Sequence, residues 1–84
     1  SPAFLMRQME WREAIEDARA ARSAAALDAL TIELRQEHRR IEAELADLLD
    51  TQRNLEGARE AVRQLRFMDK LIAEAGEVYE EIED

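Results

Sequence analysis

The sequence predicts an all-α protein, an antiparallel three-helix bundle in which a shorter first helix packs on a long helical hairpin. Three observations predict it. The chain is rich in Ala, Leu, Glu and Arg and holds only two Gly and one Pro, so little in it interrupts a helix. Its apolar residues recur at steps of three, four and seven, the period of a helix face. Two short polar breaks, at Ser23 and at "TQRN" (51–54), divide that pattern into three. Eighty-four residues make a single domain, 1–84, with a modest core.

The first helix is expected over 2–22. Ser1 at the N-cap and Pro2 at the first helical position form a helix-start signal. Phe4, Trp11, Ile15 and Ala18 fall within about 60° of one another and form its core stripe, flanked by Ala14 and Ala21. The second helix is expected over 24–50, capped by Ser23. Leu27, Leu30, Leu34, Ile41, Leu45 and Leu48 make a heptad-like stripe, with His38 filling its gap. The third is expected over 55–81, capped by Thr51 or Asn54. Ala58, Leu65, Ile72 and Tyr79 occupy one heptad position, and Ala61, Met68, Ala75 and Ile82 the other. Gly76 costs this helix about 1 kcal/mol relative to Ala and marks either close packing or fraying. The acidic "EVYEEIED" end opposes the helix dipole, so a loose last turn is expected.

Charge and composition narrow the function. A net charge of −8 repels phosphates and argues against nucleic acid. The densest basic run, Arg35 to Arg40 with Glu37 and His38 inside it, reads as a solvated face. With no Cys, disulfides, thiolate metal sites and cysteine nucleophiles are excluded. No apolar run reaches the roughly 18 residues of a membrane span, and no signal-peptide pattern is present. A membrane-surface helix over Phe4 to Trp11 is the weaker reading, because Glu and Asp share its polar face. His38 has no second His and reads as structural. No Glu-x-x-His motif occurs, and the two serines both sit at helix starts. No cofactor, metal or catalytic activity is therefore expected. The chain begins at Ser1, so a fragment with a second domain upstream is the expectation.

Some apolar residues do not fit the stripes. Leu5 lies about 100° from Phe4, Met9 about 140° and Met6 about 160°. Glu10, Glu13 and Asp17 share that outer half of the helix. Phe67 lies about 130° from the middle of the third stripe and is expected to point outward, while Leu71 and Val78 sit at the stripe's edge, where the first helix can bury them. Scattered surface apolar residues are ordinary. Together, these four would form a charge-rimmed patch of the kind that binds proteins. Periodicity leaves open whether Leu5 and Met9 adjoin Phe67. If all are outward, changing Leu5, Met9 and Phe67 to Ser should leave melting nearly unchanged.

"AFLMRQMEWREAI" followed far downstream by "VRQLRFMDKL" resembles the C-terminal domain of the HscB family, J-domain co-chaperones of iron–sulfur cluster assembly. The resemblance runs over nearly the whole chain. It implies a three-helix domain that binds an iron–sulfur scaffold protein (IscU type), while an N-terminal J-domain stimulates a heat-shock ATPase (HscA type). It also implies partner-binding residues: Leu5, Met6, Met9 and Phe67 as apolar contacts, with Glu10, Glu13 and Asp17 as acidic ones. The chain departs from the pattern in places. Met9 and Trp11 stand where Leu is usual, and Asp17 is shorter than the usual Glu. Arg7 and Ala14 replace common acidic residues, which is expected to make the face less negative. The J-domain's His-Pro-Asp loop is not in these residues. A bacterial cytoplasmic setting is expected, with the mitochondrial matrix as the alternative. The other functional reading is a self-associating helical module, a homo-oligomer built on the outer patch.

Overall fold

The computed structural model describes residues 1–83. Three helices follow in order: α1 (Pro2–Ala21), α2 (Ala24–Asp50) and α3 (Leu55–Glu83). Each start follows from a side chain that satisfies a free backbone N–H. Ser1 accepts from Phe4 N–H and Ser23 from Ala26 N–H. Asn54 Oδ1 accepts from Gly57 N–H at 2.9 Å, so Asn54 caps α3 while Thr51 closes α2. A Cβ on Gly57 would lie 2.9 Å from the capping Asn54 side chain and from a Leu48 methyl, so one of the two would have to shift. Arg22 ends α1 in the left-handed region, φ 48°, with its N–H bonded to the Ala18 and Arg19 carbonyls.

The pairings fix the topology. Phe4 meets Phe67, Arg12 meets Glu74 and Arg19 meets Glu81. Both partners rise together in number, so α1 and α3 run parallel. His38 pairs with Asp69 across the hairpin, whose four-residue turn makes α2 and α3 antiparallel. At about 1.5 Å per residue, α3 is about 44 Å long, close to the longest dimension of the molecule, 46 Å. The rod is thus one long helix in length. α2 and α3 embrace along most of it, and α1 touches each over a shorter stretch.

The core follows the sequence in α1, where Phe4, Trp11, Ile15 and Ala18 are all buried. In α3 it is turned. Ala61, Met68, Leu71, Ala75 and Val78 are the best-buried residues, whereas Leu65, Ile72 and Ile82 are half-buried and Tyr79 is exposed. The heptad reading described a seam with one neighbour. α3 has two, and α1 widens the buried arc toward Leu71 and Val78.

The basic run of α2 also differs from expectation. Arg35, Arg39 and Arg40 are exposed, but Glu37 is buried, 6% exposed. Glu37 lies three residues after Leu34 and four before Ile41, so it occupies the stripe beside the α1 seam. His38, the residue expected in that gap, is half-buried at the α2–α3 edge, with Nδ1 3.1 Å from Glu42 and Nε2 2.9 Å from Asp69. It is a structural tie.

Gly76 has open space around it and marks no close packing. The acidic end stays helical to Glu83, held in part by Arg19 on Glu81 and Arg22 on the Ile82 carbonyl.

Candidate protein-binding face

α1 presents two opposed faces. Its core stripe points into the hairpin. About half a turn away lie Leu5, Met6 and Met9, which are 57%, 63% and 65% exposed. Glu10, Glu13 and Asp17 continue the same face toward the C-terminus, all exposed. Among the described residues none of these three carboxylates is salt-bridged. The face is apolar for its first turns and negative thereafter.

The arginines of α1 explain why it stays negative. Each turns inward. Arg7 donates to Glu37 at 2.9 Å and lies 4.6 Å from the Trp11 ring centre. Arg12 Nη1 donates to both carboxylate oxygens of Glu74, at 3.1 and 3.0 Å. Arg19 pairs with Glu81, and Arg22 donates to the Ile82 carbonyl. Arg7 is thus turned from the outer face toward Glu37. That carboxylate also accepts two bonds from Arg40, at 2.9 and 2.7 Å. The Arg40 hydrogen bonds and the nearby Arg7 charge outweigh burial and hold the Glu37 carboxyl below its usual range.

Phe67 sits elsewhere than the helical wheel put it. It is half-buried against the core. Its ring meets Phe4 edge-on, 6.0 Å between centres at 77°, and Phe4 meets Trp11 in the same way at 5.9 Å and 73°. Arg12 lies 5.4 Å from the Phe67 ring centre. α1 brings Phe67 inside the widened arc, so it is a seam residue beside the outer face. Leu5, Met6, Met9 and the three carboxylates share one helix face, and Phe67 joins them through Phe4 and Arg12. For a residue packed in this way, Phe67→Ser should lower the melting temperature, and the triple change of Leu5, Met9 and Phe67 to Ser should lower it too.

The sequence reading missed a second feature. Leu45, Leu49, Leu55, Ala58 and Val62, with Arg59, Arg63 and Arg66 at the edge, line an open groove of about 410 Å³ near the hairpin turn. Leu49 and Leu55 are 44% and 62% exposed. A hint was present in "LLDTQRNL", where two leucines lie beyond the stripe on either side of the turn.

The family described as the HSCB C-terminal oligomerisation domain matches residues 1–76. The chain belongs to the HscB C-terminal domain family. Proteins named co-chaperone protein HscB homolog resemble it along almost its whole length. That of Burkholderia thailandensis is 55% identical over 82 residues, covering 98% of this chain and 46% of the relative. That of Paraburkholderia xenovorans is 53% identical over 83 residues, covering 99% and 47%. The chain thus spans about half the length of these HscB relatives. No solved structure matches it. Among the described residues no helix is long and apolar enough to cross a membrane, and no group of three His, Cys, Asp or Glu is placed to hold a metal ion.

Proposed function

We propose that this HscB-family domain binds an iron–sulfur scaffold protein (IscU type) through the outer face of α1. It does so as the non-catalytic half of a bacterial, cytoplasmic co-chaperone that delivers the scaffold to an HscA-type heat-shock ATPase. The observation that carries the reading is the pairing on α1. Leu5, Met6 and Met9 stand exposed in consecutive turns, and the carboxylates that follow them are unpaired while the helix's arginines face inward. Large apolar side chains left in water at one spot supply most of an interface's energy when covered. Unpaired carboxylates beside them steer a basic partner and set its orientation. Phe67, packed edge-on against Phe4, would add its exposed edge beside that face. Stimulation of the ATPase belongs to a J-domain, which these residues do not include.

Titration calorimetry with an IscU-type scaffold tests this. Leu5→Ser with Met9→Ser should weaken binding roughly tenfold or more with the melting temperature unchanged. Binding equal to wild type would overturn the assignment. The family's description as an oligomerisation domain favours a second reading, in which the same chain also associates with itself.

A further inference from the structure

We propose that the groove between α2 and α3 near the hairpin turn is a second docking site, which takes an acidic amphipathic helix of another protein while the outer face of α1 stays free. The groove's own residues carry this, whatever α1 binds.

Charge singles the groove out. The chain holds 20 Asp and Glu against 12 Lys and Arg, yet three arginines and no carboxylate line this hollow. The pocket around His38 is mixed by contrast, with Arg35 and Arg39 beside Glu42 and Asp69. In the groove, Arg59 and Arg63 reach only Glu56 and Glu60, three residues back on their own helix, at 3.7 and 2.9 Å. Arg66 has no salt bridge among the described residues. Exposed pairs of that kind contribute little. The guanidinium groups are therefore available to a carboxylate brought from outside, which each can grip through two parallel bonds.

The apolar floor runs among the arginines. Leu55, Arg59, Val62 and Arg66 follow at steps of four, three and four, within about 60° of one another on α3. Leu45 and Leu49, one turn apart on α2, complete the lining. Leu49 and Leu55 are exposed, and Leu45 and Val62 are half-buried. No residue of α1 lines the groove, so this is hairpin surface that the third helix leaves uncovered.

These features specify the occupant. Both walls are helices whose backbone N–H and C=O groups are already paired along their length. An extended segment would find no backbone partners there, whereas a helix satisfies its own. From Leu55 to Arg66 the hollow runs about 16 Å along α3, room for about three turns of a docked helix. Apolar residues at i, i+3 or i+4 and i+7 would seat on the leucines and Val62. Carboxylates flanking that stripe would meet Arg59, Arg63 and Arg66. A flat anionic membrane would leave the hollow unfilled.

Fluorescence anisotropy tests the proposal with a synthetic peptide of about sixteen residues, cross-linked on its outer side to hold it helical. It carries one stripe of leucines flanked by glutamates. The wild-type chain should bind it, about 1 M salt should weaken the binding, and the same peptide with lysine for glutamate should not bind. Leu49→Ser with Leu55→Ser removes the floor, and Arg59→Glu with Arg66→Glu reverses the rim. These positions are all exposed, and circular dichroism checks that both variants fold. Each should lose affinity roughly tenfold or more. Leu5→Ser with Met9→Ser should bind the peptide as wild type does, whatever its effect on scaffold binding, so the two readings fail separately. No binding by the wild-type chain, or equal binding by either groove variant, would overturn the proposal. So would a wild-type chain that sediments with phosphatidylglycerol vesicles, or as a larger species of its own, when the groove variants do not. Either result assigns the groove to a membrane or to a second copy.

Discussion

Glu37 carries the sharpest consequence at the scale of single residues. It is a buried carboxylate that accepts three charge-assisted bonds from two arginines, one on α1 and one on its own helix. Its carboxyl is held below the usual range, so its stabilising effect is complete above the ordinary carboxylate pKa and fades as pH falls through the lowered one. Glu37→Gln should cost about 1–2 kcal/mol at neutral pH, a difference that urea titrations at pH 7 and pH 3 should show shrinking in acid. Phe67 gives the second test. Because it packs edge-on against Phe4, Phe67→Ala should lower stability by about 2 kcal/mol, whereas Leu5→Ser and Met9→Ser should each stay within about 0.5 kcal/mol. Differential scanning calorimetry on the three variants separates seam from surface. The sequence showed Leu5, Met6 and Met9 as outward because α1 has one buried face and a simple wheel describes it. It did not show Phe67 as a seam residue or Glu37 as buried, because both depend on where α1 lies against the hairpin, a choice that periodicity leaves free.

Each helix was legible because local chemistry specifies it. Ser1 with Pro2, Ser23, and Asn54 with Gly57 start helices, each capping side chain satisfying a free N–H three residues ahead. Their registry was not legible. Arg12 and Arg19 are seven apart, as are Glu74 and Glu81, yet only the folded pairing shows that they form two rungs of one ladder. Gly76 tests the account at this scale. It sits in the interior of α3 with open space where a Cβ would go, so Gly76→Ala should raise stability by about 0.5–1 kcal/mol. Gly57→Ala should lower it, because the new methyl displaces the cap or Leu48. Thermal melts of both variants check the opposite signs.

At the scale of the whole molecule, α1 divides the rod in two. Where three helices meet, Leu34, Ile41, Met68 and Leu71 are completely buried. Around the turn only α2 and α3 remain, with Leu49 and Leu55 exposed. Amide hydrogen exchange should therefore be faster from Asp47 to Gly57 than at Leu34 or Met68, since local opening there exposes little apolar surface. The three-helix architecture followed from composition and period. The inward pairing of the α1 arginines did not, and it is this pairing that leaves Glu10, Glu13 and Asp17 on the outer face without salt-bridge partners among the described residues. That arrangement is the core of the functional account, and calorimetric titration of an IscU-type scaffold with the Leu5→Ser, Met9→Ser double variant tests it most directly. The account predicts roughly tenfold or greater loss of affinity at an unchanged melting temperature; wild-type affinity in the folded variant would contradict it.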